Sequence, residues 1–471
     1  MKHRLAIVLA LGLAFGAGAQ QYDITFRLTG AKDSMMYIAR HHRDQLVILD
    51  SARRTGEDTY RFTGRRAWKR NIYALVGQNR TKALSDFCID GSLKFSITAD
   101  SVLSAASAKV KGCPTNEGMF KHLAIVSAAY KEQAEIEKRM KDPATKEQAQ
   151  EEMKALADRM KDYNATALHP KKKSLFMDLI NFFEKDNVPD SVENKPLYYR
   201  RHYWDNLFTG TAPLPMEELV YTPNLFNHVN YFFFGTLYHA DSDTINAEVD
   251  RLMERIGDDT LLRRYVMDFI TPRYYRSTNM IGWDAVWCHL MERYYLQGSC
   301  PWVSEGNMYN MKLNYNRIRK SIIGAHGQEL YMLDTTQIDA PEHWKSSHRF
   351  PTRYVILWFW DPDCHHCQEQ SAALKVLYDS LQAAHNPRFE VYAVGYESDV
   401  AKWKKYVKDH DFRWVNVGGP NVNIDYQDAY NVHGAPTMII LNERRDIIMN
   451  KTLPAKSILP FLDDYEKRRD K

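Results

Sequence analysis

Four consecutive residues, Cys364-His365-His366-Cys367, carry the most legible chemistry of this chain. Two thiols separated by two residues have the spacing of an exchangeable pair: one thiolate attacks a disulfide and the other resolves the product. The apolar run Tyr354–Trp360 precedes them, Asp361-Pro362-Asp363 reads as a tight turn, and the amphipathic stretch Gln370–Leu381 follows. A helix opening at the first cysteine places both sulfurs in its first turn, where unpaired backbone N–H groups and the helix dipole favour thiolate over thiol. We therefore expect a lowered pKa for Cys364. The terminus itself contributes only about 0.3–1 kcal/mol, less than about one pKa unit, so neighbouring charges decide the final value. His365 and His366, when protonated, stabilise the thiolate and raise the reduction potential, whereas Asp363 acts in the opposite sense. Glu369 lies within reach of the same turn.

Other uses of these residues fit less well. A structural zinc site needs four ligands around a tetrahedron, which four consecutive residues do not readily close, and no second CxxC or HxxxH completes one. A c-type haem needs His directly after the second cysteine, and position 368 is Gln. A peroxidase of the peroxiredoxin type needs Thr at position 361, where this chain has Asp. A disulfide with a purely structural role stays open. The exchange reading calls for no metal and no organic cofactor.

The elements around this motif come from the rest of the chain. Lys2-His3-Arg4, an apolar run from Leu5 to Phe15 and Ala17-Gly18-Ala19 describe a cleavable secretory signal over residues 1–19. The run is shorter than the ~20 residues a membrane span needs, and no later segment approaches one. Export gives a dithiol meaning, because the cytosolic thiol buffer is left behind. Lys and Arg number 63 against 59 Asp and Glu, a net charge of +4. Loss of Lys2 and Arg4 would leave +2, too little to argue for nucleic acid or an anionic surface. With 471 residues, 44% of them hydrophobic, the chain can bury several cores, and we expect a multidomain protein.

Residues 20–112 read as a β-rich, sandwich-like module, with short alternating runs at Tyr22–Leu28, Met36–Ala39, Gln45–Leu49, Thr59–Phe62 and Leu93–Ile97. Residues 113–317 read as a helical middle domain. It opens on a charged stretch, Tyr130–Lys161, that Pro143 divides into a solvated helical hairpin. The aromatic runs Tyr198–Trp204, Tyr231–Phe234 and Tyr274-Tyr275 read mainly as core, with a partner groove as the alternative. Residues 318–471 read as an α/β domain around the dithiol. Of the remaining cysteines, Cys88 and Cys113 make the better candidate pair. Cys288 reaches Cys300 only if its helix ends early, since eight more helical residues carry the chain about 12 Å away and a bridge needs Cα atoms within about 7 Å.

From about Ile318 to Lys471 the chain resembles a TlpA/ResA-type thioredoxin-like domain. The resemblance is carried by Ile356–Cys367, by Val391–Val394 as the next strand, and by Gly434-Ala-Pro-Thr437 leading into Met438–Leu441. It implies a thioredoxin fold with core strands at Arg353–Trp360, Glu390–Gly395, Thr437–Asn442 and Asp446–Thr452. It also implies an insertion made from the strand and helix of 390–409 with Arg413–Val417. Pro436, 69 residues after Cys367, would be the cis proline facing the dithiol. Two positions depart from the pattern: Trp358 stands where thioredoxins bury an Asp, and Gln370 where many TlpA/ResA-type domains have Glu. Deprotonation of Cys367 is then left to Glu369, a histidine or water. Residues Ile281–Val286 and Pro301–Val303 resemble a bacterial envelope family with a helical region of uncharacterised role. Together these imply a reductase acting on protein thiols and disulfides in the periplasm or envelope of a Gram-negative bacterium, recharged by a membrane electron donor. The alternative is a binding or scaffold protein that merely carries a thioredoxin-like domain.

Overall fold

The computed structural model describes residues 20–80, 82–167, 174–184, 188–276, 280–334, 343–396 and 399–469. The expected signal segment, 1–19, lies outside them. The chain divides into two compact units, one of residues 1–239 and 252–266, the other of 240–251 and 267–471. Among the described residues, no helix is long and apolar enough to cross a membrane.

The first unit begins with eight strands: β1 (Gln20–Thr29), β2 (Met35–His42), β3 (Gln45–Thr55), β4 (Thr59–Arg66), β5 (Asn71–Val76), β6 (Ala83–Ile89), β7 (Lys94–Asp100) and β8 (Lys109–Lys111). They form one sheet in the order β6-β5-β2-β3-β4-β1-β7-β8. β1 alternates as a half-buried strand must, with Tyr22, Ile24, Phe26 and Leu28 inward and Asp23, Thr25 and Arg27 outward. Phe26 of β1 meets Phe87 of β6 at 5.2 Å between ring centroids, although four strands separate them in the sheet. The sheet therefore folds over itself into the expected sandwich, with a shared core of Ile24, Phe26, Tyr60, Phe62, Leu75 and Phe87. β5, β6 and β8 are not among the strands expected from the sequence pattern. β5 is buried at all six residues, Tyr73 and Leu75 toward the main core and Ala74 and Val76 toward a second cluster, so it shows no alternation.

Helices follow: α1 (Pro114–Arg139), α2 (Lys146–Ala167), α3 (Leu175–Phe183), α4 (Lys195–His202), α5 (Met216–Leu219), α6 (Pro223–Tyr231), α7 (Ser242–Ile256), α8 (Thr260–Arg276), α9 (Trp283–Leu290) and α10 (Glu305–Ile318). Pro143 falls in the turn between α1 and α2. That hairpin carries its charges outside, with Arg159 on Glu132, around a small core of Ile136, Ala149 and Leu156. Tyr203, Trp204, Phe232 and Phe233 are buried, and Trp204 lies 4.9 Å from Phe232, so these aromatics are core. Tyr231 and Tyr275 stay exposed. Cys88 and Cys113 are buried free thiols.

The second unit carries strands β9 (Tyr331–Asp334), β10 (Trp344–Ser346), β11 (Tyr354–Trp360), β12 (Phe389–Gly395), β13 (Val415–Val422), β14 (Thr437–Leu441) and β15 (Ile447–Met449). Among them lie α11 (His365–Ala383), α12 (Val400–Asp409), α13 (Tyr426–Ala429) and α14 (Ala455–Arg469). The sheet order is β10-β9-β13-β12-β11-β14-β15, with β11, β12 and β13 parallel and β14 antiparallel to β11. All seven residues of β11 are buried. Tyr354, Ile356, Trp358 and Trp360 pack with Leu374, Tyr378, Ile458 and Leu462 of α11 and α14, while Val355, Leu357 and Phe359 fill the opposite face with Tyr392 and Tyr430. A continuous apolar run is what a strand covered on both faces requires. Residues 390–395 carry two expectations, core strand and part of an insertion; β12 pairs along its length with β11, so the first holds and the second does not. β9 and β10 leave no signal in the sequence because four and three residues are too short to show a period.

One side chain closes an exposed sheet edge. β6 ends the sheet, and fully buried Asn116 of α1 stands in for a missing strand: its Oδ1 accepts the Cys88 N–H at 2.6 Å and its Nδ2 donates to the Cys88 carbonyl at 2.9 Å. Asn116→Ala strands both groups, and we expect urea denaturation to show a loss of about 2–4 kcal/mol; a loss below about 0.5 kcal/mol would mean that water replaces the amide.

Candidate active site at the start of helix α11

β11 ends at Trp360, and the next three residues turn the chain. Asp361 Oδ1 accepts the Asp363 N–H at 2.7 Å and the Asp361 carbonyl accepts the Cys364 N–H at 3.2 Å. Gln368 reaches back to donate to the Pro362 carbonyl at 2.7 Å, tying the turn to the helix it starts. Cys364 is the N-cap of α11: its Sγ accepts the Cys367 N–H at 3.2 Å, the place usually taken by a Ser, Thr or Asp oxygen. A sulfur anion accepts that bond more strongly than a thiol.

The two sulfurs differ in access. Cys364 is partly exposed, whereas Cys367 has 0% exposure. Cys364 Sγ also lies 3.7 Å from the Ala435 carbonyl, and the Ala435-Pro436 peptide is cis. Pro436 thus belongs to the loop that faces the first cysteine. Burial foremost, then the hydrogen bond to Cys364, pushes the Cys367 thiol up to about 12, with the charges of Cys364 and Asp361 adding to the rise. The Asp361 backbone N–H, which hydrogen-bonds the Cys367 sulfur, acts against it.

The charged neighbours sort themselves by geometry. His365 and His366 pair with Glu369 at 3.3 and 3.6 Å, and the three side chains are 77%, 81% and 59% exposed. They line the solvent face of the turn, and Glu369 is engaged there. Asp363 is paired with Lys402 of α12, and both are exposed. Trp358 is fully buried with its indole N–H donated to Ser371 at 2.9 Å, so an apolar ring and a hydroxyl occupy the space behind the dithiol. The sequence singles out Cys364, Cys367, Pro436 and the flanking His365, His366, Asp363 and Glu369, and the structure brings all of them to one end of the sheet. It does not single out Asp361, Lys402 or Ser371. Asp361 leaves one signal, a charged residue directly after a seven-residue apolar strand, whereas Lys402 and Ser371 are placed by packing alone.

The difference in access predicts a labelling order. A buried thiol whose pKa is raised offers little thiolate to a reagent in solution. Iodoacetamide should therefore modify Cys364 of the reduced native protein and leave Cys367 unmodified until denaturant is added, as read by peptide mass. Equal labelling of the two in the folded protein would contradict this arrangement.

A thioredoxin-like family pattern matches residues 352–447. Among solved structures, a thioredoxin-like protein from Bacteroides caccae is 16% identical, with 60% of this chain and 98% of that one aligned at a TM-score of 0.46. A domain of a possible thiol-disulfide isomerase from Cytophaga hutchinsonii is 27% identical over 32% of this chain and 96% of its own, at a TM-score of 0.27. A thiol:disulfide interchange protein from a Bacteroides species is 18% identical over 31% and 92%, at a TM-score of 0.25. No match was found among the curated proteins. With β11 running into the dithiol, α11 opening on it and the Ala435 carbonyl beside Cys364, the matched stretch 352–447 is a thioredoxin-like domain.

Proposed function

We propose that the protein is a thiol:disulfide oxidoreductase, and more specifically a reductase of protein disulfides in the cell envelope. The observation that carries this is the pairing of a partly exposed Cys364 at a helix N-terminus with a wholly buried Cys367 whose backbone N–H it already holds. An incoming disulfide meets only the first sulfur. Cys364 thiolate attacks one sulfur of the substrate, the substrate S–S bond breaks, and its other half leaves as a thiolate that takes up a proton. Cys367 then attacks Cys364, the mixed disulfide breaks, and the second substrate thiol is released. The substrate gains two electrons and the Cys364–Cys367 pair becomes a disulfide. A further dithiol donor, which we place in the membrane, must return those electrons. The reductive direction and the envelope setting rest on the TlpA/ResA-type resemblance and on the export signal expected at 1–19.

A second reading, a binding protein that carries this domain, is favoured by one feature of the helical region. A groove of about 700 Å³ opens among α1, α2 and α3, lined by Val126, Met153, Leu156, Met160, Ile180 and Phe183 among others. That volume suits a small ligand.

Two variants test the first reading. Cys364→Ser should abolish reduction of insulin disulfides, a loss of at least about a thousandfold, while Cys367→Ser should trap substrate proteins in mixed disulfides visible on non-reducing gels. Wild-type protein that exchanges with no dithiol or disulfide, yet shows ligand-dependent thermal stabilisation retained in the double serine variant, would favour the binding protein instead.

A further inference from the structure

We infer that two copies of this chain join along the open edge of β3, by antiparallel pairing of Leu46-Val47-Ile48 with the same segment of the second copy. The surface lies wholly in the first unit and does not depend on the exchange chemistry.

β3 has β2 along one side from Gln45 to Arg53, but on its other side β4 meets it only at Arg54 and Thr55. Among the described residues, no strand pairs with Gln45–Arg53 on that side. Alternation along the ladder decides which groups point there. β2 ends at His42 and β3 begins at Gln45, so a two-residue turn, Arg43-Asp44, joins them and places His42 and Gln45 at a bonded pair. The pairs His41 with Leu46 and Ala39 with Ile48 are then the non-bonded ones. The far end of the ladder keeps the same phase, with the Arg54 N–H donated to the Ser34 carbonyl at 2.9 Å. Leu46 and Ile48 therefore aim their N–H and C=O groups away from β2, into the open edge.

Other edges of the two sheets carry a guard, as strands facing solvent usually do. β6 is closed at Cys88 by Asn116 and bears Asp86. The free side of β4 bears Arg61, Arg65 and Arg66. β8, β10 and β15 have three residues each. β3 itself is guarded past its bulge at Leu49, where Asp50 Oδ1 accepts the Ser51 N–H at 2.8 Å. Gln45–Leu49 has neither charge nor proline, and Val47 and Ile48 are 44% and 37% exposed.

A row of N–H and C=O groups accepts an extended strand, and uncharged aliphatic side chains beside it call for more of the same. A second copy of the segment supplies both. With Val47 facing its own counterpart across a two-fold axis, Leu46 of each copy exchanges backbone bonds with Ile48 of the other. Counting outward past the bulge, Asp44 of each copy comes opposite Ser51 and diagonal to Arg53 of the other, an opposite charge, and no like charges stand directly opposite. The pairing continues β6-β5-β2-β3 of one copy into the same strands of the second. Its short length places it among the weak interfaces, with association in the micromolar range.

Sedimentation equilibrium of the full chain across that range, with hydrogen exchange read at the Leu46 and Ile48 amides, tests this. We expect a monomer–dimer equilibrium in which both amides exchange freely on dilution and gain protection as the dimer forms. Val47→Lys with Ile48→Lys puts like charges face to face across the axis and should weaken association at least about a hundredfold. Thr63→Lys, on the free side of β4, should leave association as in the wild type. Should the double variant fail to fold, the wild-type amides still decide. A chain that stays monomeric throughout, a dimer that the two lysines leave intact, or a dimer whose two amides exchange as fast as in the monomer overturns the inference. Amides already protected in the monomer overturn it as well, because the chain's own residues then cover the edge. Association lost with Thr63→Lys but kept with the two lysines places the contact on β4 and overturns it too.

Discussion

Cys364 and Cys367 are three residues apart, yet one meets solvent and the other does not, and everything this domain can do with a disulfide depends on that separation. It is produced by where α11 starts. β11 ends in the middle of the sheet with both faces covered, so the chain leaves it at a fixed point, and the Asp361 turn returns it within three residues. A helix begun there must place its N-cap at the rim and its third residue against the sheet. The N-cap sulfur accepts the N–H of the other cysteine, which joins the capping of the helix to the pairing of the two thiols.

The aromatic residues of β11 hold this geometry from behind. Trp358 and Trp360 are fully buried among α11, α12 and α14, and each large ring removed from water is worth about 1.5–3 kcal/mol. Trp358 is the more instructive. A buried carboxylate at that position would need a cationic or hydrogen-bonding partner; the indole needs one acceptor and has it in Ser371. The space behind the dithiol is thereby made apolar, and burial there raises the Cys367 thiol. His365 and His366 stand far out in solvent, paired with Glu369, where water and salt screen their charge. Their place suits contact with an incoming protein better than strong control of the thiols.

Much of this is legible in the amino-acid sequence. The dithiol, the turn that leads into it, the apolar strand and the proline of the opposing loop are all local patterns, and each sits where its residues suggest. The division of Tyr130–Lys161 at Pro143 is equally readable, because proline leaves little choice. Elements that follow no local period are hidden. β5 is buried on both sides, and β9 and β10 are very short. The place of Lys402 is hidden for another reason: only the packing of α12 beside the turn brings it to Asp363.

The central claim is that Cys364 and Cys367 form a reversible two-electron couple on the reducing side. Equilibration of the full chain against graded thiol-disulfide buffers, with the oxidation state of the pair read by mass, measures this directly. The predicted result is a single two-electron transition near roughly −270 mV, in the range of reducing dithiols. A transition near roughly −120 mV would contradict the reductive direction, and a pair that forms no disulfide in any buffer would contradict the dithiol itself.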